Sequence, residues 1–394
     1  MKILDGVTVI DFTQAYSGPF CTMQLADFGA KVVKIERRGS GDQSREWTPI
    51  ENDNSGYYAA INRNKYSVSL DINKEEGKEV IRKLVKDADI VVENFKVGTL
   101  DKMGLGYEDL KKINPELIFA SISGFGQYGP LKSLAAYDNV VQAMCGMMEM
   151  TGFPDGIPTR VGPAIGDNFT GLNACLAIVM AYFNKLNTGK GQQIDVAMYD
   201  AIFNLLESPI LFNNVLGVEV TRCGNNDAGT LVPYDVYQCK DGYFSAGLAS
   251  DSGWDRFCAA IEMPELLEDA RFETNELRCQ NYEIITPIIS KFFADKTRAE
   301  LQDVFTAVAI PNAPVLEIPE IMAHPQLNAR EMLVDLDDPG VGMYKAMANP
   351  MKLSEGAAEI VMGAPLMGQD TDMILKEIGY TEEQVNHMRL EEVI

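Results

Sequence analysis

One carboxylate stands apart in this chain. The stretch "RVGPAIGDNFTGLNACLAIVMAYFNKL" begins at Arg160 and holds a single acid, Asp167, between Gly166 and Asn168. No charge then follows from Asn168 to Asn184. A carboxylate at the mouth of an apolar run has two readings. As an N-cap, it would accept the free N–H groups of the first helical turn. As a reacting group, it would need partners from elsewhere in the chain. The run has helix length and stops at Asn187-Thr188-Gly189. It is apolar all round, which reads as a buried core helix. It is too short and too interrupted by Asn to read as a membrane span.

Two other places could do chemistry. "KVVKIERRGSGD" gathers Lys31, Lys34, Arg37 and Arg38 just before Gly39 and Gly41. Arg suits bidentate contact with phosphate, so this reads as an anion site at the end of a strand, or else as a solvated basic loop. "VVENFKVG" places Asn94 to bond a ligand and Phe95 to pack on a flat ring; on its own it also reads as a strand-end turn. His324 and His387 are the only histidines, and neither lies near a second His or a Cys. That disfavours a metal site and a Ser–His or Cys–His triad.

The elements that must position these groups alternate. Residues 7–12, 31–36, 67–72, 89–95 and 117–126 read as strands; 19–29, 74–88 and 106–114 read as helices. Val/Ile-rich strands alternating with helices predict an α/β fold with a doubly wound, Rossmann-like parallel sheet. Ligands bind such sheets at the carboxyl ends of the strands. After the first strand, however, the chain reads "TQAYSGPF", which is not G-x-G-x-x-G, and no Walker A sequence occurs. A nicotinamide oxidoreductase is thereby disfavoured. The texture changes at "TRCGNNDAGTLVPYDVYQCKDGYFS", which predicts a large domain over 1–220, a smaller α+β domain over 221–330 and a C-terminal segment over 331–394 that returns to the large domain.

The formal net charge is −23 over 394 residues, which disfavours nucleic acid and anionic membranes as partners. Seven cysteines without C-x-x-C spacing suggest reduced thiols, and "MKILDGVTVIDF" shows no signal peptide. The expected location is the cytoplasm.

Taken in order, "LDGVTVIDFT", "SGPFCTMQLADFGAKVVKIERRGSGD", "NRNKYSVSLDIN", "VVENFKVG", "SISGFGQYGP", "AYDNVVQAMCG", "GDNFTG", "TGKGQQIDVAMYDA", "HPQLNARE" and "APLMGQDT" resemble the class III CoA-transferases. This is the CaiB/BaiF type, which includes formyl-CoA and carnitine CoA-transferases. Each motif is weak alone; ten in the right order are strong. The resemblance makes Asp167 the nucleophile. It implies that a carboxylate attacks an acyl-CoA and that an aspartyl-CoA thioester forms through mixed anhydrides. It implies CoA and acyl-CoA as substrates, no permanently bound cofactor, and an interlocked homodimer.

The resemblance also carries the family's CoA contacts to Tyr16, Ser17, Arg37, Leu70, Asp71, Ile72, Asn73, Asn94, Phe95, Lys96, Lys102, Tyr137 and Asp138. Some identities depart. Tyr16 stands where formyl-CoA transferases often have Gln, Lys96-Val97 replaces Arg-Pro, and Lys102 replaces Arg, which keeps the charge without the fork. Oxalate-using members carry a glycine run in the small domain; here "CGNNDAGTLVPYDVY" has isolated glycines, which argues against assuming oxalate. The four Met residues of "AMCGMMEMTGF" read as core or as an adaptable lining for a larger acyl group.

Two alternatives share the superfamily's fold. An α-methylacyl-CoA racemase would carry His before Asp where this chain has Tyr137-Asp138, and Tyr, with a pKa of about 10, is a poor base. A non-catalytic CoA-binding subunit of a heteromeric transferase would lack the nucleophile, and Asp167 is present.

Overall fold

The computed structural model describes residues 2–227 and 229–394. Six parallel strands form the main sheet: β1 (Thr8–Asp11), β2 (Lys31–Arg37), β3 (Lys65–Leu70), β4 (Ile90–Glu93), β5 (Ile118–Ser123) and β6 (Gln192–Ala197). Their spatial order is β3-β2-β1-β4-β5-β6. This is the doubly wound order, and its direction reverses between β1 and β4. The strands alternate their apolar side chains between two cores. Ile10, Val33, Val68, Val91 and Phe119 face one, with Val80, Ile81 and Leu84 of α2 (Glu75–Lys86); Val9, Val32, Ile90, Val92, Ile118 and Ala120 face the other.

Two helices define the second face: α1 (Ser17–Asp27) and α3 (Ile165–Thr188). Ala174, Cys175, Ile178 and Ala181 of α3 enter the core beside Cys21, Leu25 and Ala26 of α1. The helix is not buried all round, however. Leu172, Leu176, Val179, Met180, Phe183 and Leu186 are exposed, with Phe183 and Leu186 each 68% exposed. They recur at helical spacing along one apolar stripe. The helix stops at Gly189 in the left-handed conformation, φ +68°, which closes a helix without Cβ strain.

The chain forms two compact units: 1–147, 160–210 and 325–394 in the first, 148–159 and 211–324 in the second. In the first, the C-terminal helices Thr371–Glu377 and Glu382–Leu390 bring Ile374, Leu375, Val385 and Met388 into the core shared with α2. The second has a three-stranded antiparallel sheet, with Gly242–Gly247 between Tyr234–Cys239 and Asn312–Pro314, packed on an aromatic core of Phe244, Phe257, Phe293 and Phe305. All seven cysteines are free thiols.

Candidate active site

The first three strands and the loops after them bring an unusual number of buried charges together around Asp11, at the carboxyl end of β1. Asp11 accepts hydrogen bonds from the Thr13 N–H at 2.8 Å, the Thr22 hydroxyl at 2.7 Å and Lys65 Nζ at 3.1 Å. Burial alone would raise its pKa; Lys65, Lys34 and the two hydroxyls outweigh that and hold it below the usual carboxylate range. Lys34 pairs with Asp42 at 2.8 Å, and both side chains are fully buried. Asp42 in turn accepts the Ala15 N–H at 3.0 Å. Asn94 accepts the Gln14 N–H and donates to the Gln14 carbonyl, each at 2.8 Å. The loop 13–16 is therefore pinned from two sides, which sustains Ala15 at φ +64°, a left-handed conformation that L residues rarely adopt. The pinned loop delivers Ser17 as the first residue of α1.

Asp167 meets it there. The α3 helix begins at Ile165 with Ala164 as N-cap, so Asp167 lies in the first turn and does not cap its own helix. Its carboxylate instead lies beside the Ser17 hydroxyl and backbone N–H, both of which favour its charged form. No acid lies in the first turn of α1, and its own N-cap residue, Tyr16, makes no capping bond. Asp167 thus supplies from α3 the negative charge and acceptor that the amino end of α1 lacks. Two glycines permit this approach. A Cβ at Gly171 would lie 2.5 Å from the Ser17 carbonyl oxygen, and one at Gly166 would lie 2.9 Å from Asp138 Oδ1.

The pKa of Asp167 is pushed up to about 6, first by burial and then by Asp138, against the lowering effect of the Ser17 hydroxyl and N–H. Asp138 is nearly buried and turned into the protein. It accepts the Gly166 N–H and Gln142 Nε2, each at 2.7 Å, and Gln142 Oε1 accepts the Val161 N–H at 2.9 Å. It holds the turn before Asp167 in place. An aromatic wall stands beside the carboxylate. Tyr16 gives its hydroxyl to Asn168 Oδ1 at 3.0 Å, and its ring meets Tyr57 at 5.5 Å; Tyr57 meets Trp47 at 5.2 Å. Burial pushes the Tyr16 phenol to about 12, and burial followed by Asp167 also raises Tyr57.

Two clefts of about 310 Å³ each open along the carboxyl ends of the strands and share Gln14 and Phe95. The first holds Asp167 and Ser17, with Asn94, Phe95, Lys96, Tyr137, Gln43 and Lys132 on its walls. The second, at the edge of β2 and β3, is lined by Arg37, Leu70, Asp71, Ile72 and Asn73. Both lie where β1 and β4 part, the switch point of a doubly wound sheet. Of the sequence-predicted residues, Lys102 is exposed and lines neither cleft. Of the four clustered cations, Lys34 is buried, Lys31 pairs with Glu377, and Arg38 binds the Ile394 carbonyl at 3.1 Å; Arg37 is the one that lines a cleft. Gln14, Gln43, Tyr57 and Lys132 escaped the sequence reading. Gln14 and Lys132 flank quoted motifs, whereas Tyr57 reaches Asp167 only through the fold.

A family model, CoA-transferase family III, matches residues 4–371. The chain belongs to CoA-transferase family III. This transferase is 35% identical to the succinyl-CoA:glutarate CoA-transferase of Homo sapiens, over 96% of this chain and 86% of that protein. It is 37% identical to the formyl-CoA:oxalate CoA-transferase of Afipia carboxidovorans, over 98% and 96%. It is 38% identical to the succinyl-CoA:mesaconate CoA-transferase of Haloarcula hispanica, over 96% and 97%. A solved CaiB/BaiF family protein from Brucella suis superposes on the CoA-transferase with a TM-score of 0.85 at 34% identity, covering 96% of this chain and 99% of that one.

Proposed function

We propose that this CoA-transferase moves CoA from an acyl-CoA to a free dicarboxylic acid, with Asp167 as the covalent relay. The observation that carries the reading is the placement of Asp167 in a cleft at the amino end of α1, beside Ser17. The relatives named for glutarate, mesaconate and oxalate all take diacids, which supports the acceptor class.

The steps balance as follows. The ionised Asp167 attacks the thioester carbonyl; the C–S bond breaks and leaves a mixed anhydride and CoA thiolate. The thiolate attacks the aspartyl carbonyl, the donor acid leaves as its carboxylate, and an aspartyl-CoA thioester remains. The acceptor carboxylate attacks that thioester and expels the thiolate, which then attacks the acceptor's side of the new anhydride. Acyl-CoA forms and Asp167 is released as carboxylate. Splitting the exchange in this way replaces one hard step with easier ones. When thiolate adds to the aspartyl carbonyl, charge develops on its oxygen. The Ser17 N–H and hydroxyl already point at that side chain, so the donors are arranged before the charge appears. Apolar side chains of α3 and the aromatic wall of Tyr16 and Tyr57 keep water from the anhydride and thioester.

CoA would lie along the two clefts, with its nucleotide toward Arg37 and Leu70–Asn73 and its thiol end toward Asp167. Asn94 and Asp138 would act through the loops that they hold, because their polar atoms already bond protein groups. The uncovered apolar stripe of α3 fits a second copy of the chain, as the interlocked homodimer requires. Intact-mass analysis after incubation with succinyl-CoA tests the mechanism: CoA should remain on Asp167, and an unmodified wild type that still turns over would defeat it. A panel of mono- and dicarboxylic acceptors tests the substrate class.

A further inference from the structure

Three side chains that this chemistry does not use lie side by side on the sheet, next to strand ends that line the first cleft, with Asp195 the exposed member. The register pairs Glu93 of β4 with Ser121 of β5, and Ser121 with Asp195 of β6. Paired residues of neighbouring strands point to the same face, so acid, hydroxyl and acid form a row across the carboxyl ends of three strands. Glu93 is 7% exposed and Ser121 is buried. Each acid holds one loop. Glu93 Oε2 accepts the Phe95 N–H at 2.8 Å, and Asp195 Oδ2 accepts the Gln127 N–H at 2.9 Å. These loops carry Phe95 and Lys96, and Phe125, Lys132 and Tyr137, into the cleft. The Ser121 hydroxyl lies beside Glu93 and favours its charged form, whereas two acids oppose that form: Asp101 from the helix Thr99–Met103, and Asp195.

We propose that Glu93 is a positioning residue that keeps its proton in the free enzyme, and that CoA binds best to this protonated form. The inference rests on reading the cleft as the CoA site. A second charge in the row would repel Asp195 and Asp101 and would sit next to Asn94 and Phe95, which line a cleft that receives a polyanion. It would also lack the water that stabilises an exposed carboxylate. Burial and then these two acids push the Glu93 pKa up to about 7, although Ser121 and the Phe95 N–H pull it down. The proton is thus lost near neutral pH. Because an anion favours the neutral row, binding should weaken as pH rises through that value.

Titration calorimetry with dephospho-CoA tests this, since the 3′-phosphate of CoA itself titrates near pH 6, the ordinary value of about 6 for a phosphomonoester. For wild type, the dissociation constant should weaken about thirtyfold between pH 6 and 8.5, because the competent fraction falls. Glu93→Gln keeps a neutral acceptor for Phe95 and should bind with no such slope. Asp195→Asn keeps the Gln127 bond, removes a like charge, and should move the inflection to lower pH. A flat wild-type profile, or equal slopes in wild type and Glu93→Gln, would overturn the proposal while leaving the CoA cleft in place. If Glu93→Gln does not fold, Asp195→Asn decides: an unmoved inflection overturns it. No binding of either CoA or dephospho-CoA by wild type would overturn the reading of the cleft and this inference together.

Discussion

The carboxylate of Asp167, carried by α3, lies beside the first residue of another helix: the backbone N–H and hydroxyl of Ser17 in α1 both favour its charged form. The two residues are 150 positions apart in the chain. Their meeting depends on a pinned loop at one end and two glycines at the other. This single contact connects the fold of the sheet to the reactivity of the acid, because it orients the side chain and sets the donors around it.

The raised pKa gives the contact a sign that stability measurements can read. Below the usual 3.8, Asp167 is protonated both folded and unfolded, and contributes no penalty. Between 3.8 and about 6, the unfolded chain releases its proton first, so ionisation increasingly opposes folding. Above about pH 6 the penalty is complete, and the gap corresponds to at most about 3 kcal/mol. Asp167→Asn should therefore abolish transfer yet raise stability at pH 7.5 by about 1–2 kcal/mol, once weaker hydrogen bonds are allowed for. At pH 4 the gain should vanish. Thermal melts at both pH values check it; a variant less stable than wild type at pH 7.5 refutes the strained-acid account. In the wild type, the same proton should cut kcat/KM as pH falls through about 6.

Gly171→Ala should harm activity more than stability. Its Cβ would press to 2.5 Å on the Ser17 carbonyl oxygen, which is backbone and cannot rotate aside. The two helices must separate, at a cost of about 1–3 kcal/mol. The separation falls on the contact between Ser17 and Asp167. We expect kcat reduced at least about 100-fold, as for a catalytic group misplaced by about 1 Å. Kinetics beside a melting curve decide, and near-normal kcat would show that the contact tolerates movement.

Arg37→Ala should weaken CoA binding by about 1.5–3 kcal/mol, the range for a hydrogen bond to a charged group. The side chain is exposed at the second cleft, so its loss should spare folding. If Arg37 serves the 3′-phosphate, dephospho-CoA should lose less. Equal calorimetric affinities for wild type and variant would remove Arg37 from the site.

Lys65→Met should destabilise the fold by about 3–5 kcal/mol, the cost of leaving a buried partner uncompensated. Lys65 Nζ bonds Asp11, the Pro19 carbonyl and Asn62 in a fully buried setting. Chemical denaturation checks the size. A change under 1 kcal/mol would mean that Asp11 takes up a proton in the variant.

What was legible in the sequence follows from how local each feature is. The parallel sheet was readable because strands such as β1 and β2 are buried on both faces and so are rich in Val and Ile, with no strict polar alternation. Asp167 was conspicuous because its neighbours are uncharged. Its role at α1 was not legible, since a carboxylate that caps a distant helix looks the same as one that caps its own. The cation cluster misled for a similar reason. Composition shows four charges within eight positions, but the strand pleat buries Lys34 against Asp42, and the C-terminal residues take up Lys31 and Arg38. The exposed stripe of α3 was hidden by the opposite ambiguity: a helix apolar all round reads as fully enclosed, whichever chain encloses it.

The position before Asp138 separates transfer from racemisation. A racemase must take the α-proton of its substrate and return it from solvent, because its intermediate is an enolate. The proposed transfer breaks and forms bonds only at carbonyl carbons. Tyr137 lines the cleft and is 62% exposed, whereas Asp138 is turned inward to Gly166 and Gln142. No imidazole lies at this position to serve as the paired base. CoA exchange in deuterated water should therefore proceed without deuterium entering the α-carbon. The measurement is the mass of 2-methylacyl-CoA recovered after many turnovers with a dicarboxylic acceptor present. A product of unchanged mass, alongside newly formed acceptor-CoA, agrees with the carbonyl route. Enzyme-dependent uptake of one deuterium with no acceptor-CoA formed would assign the cleft to proton abstraction and remove Asp167 from its covalent role.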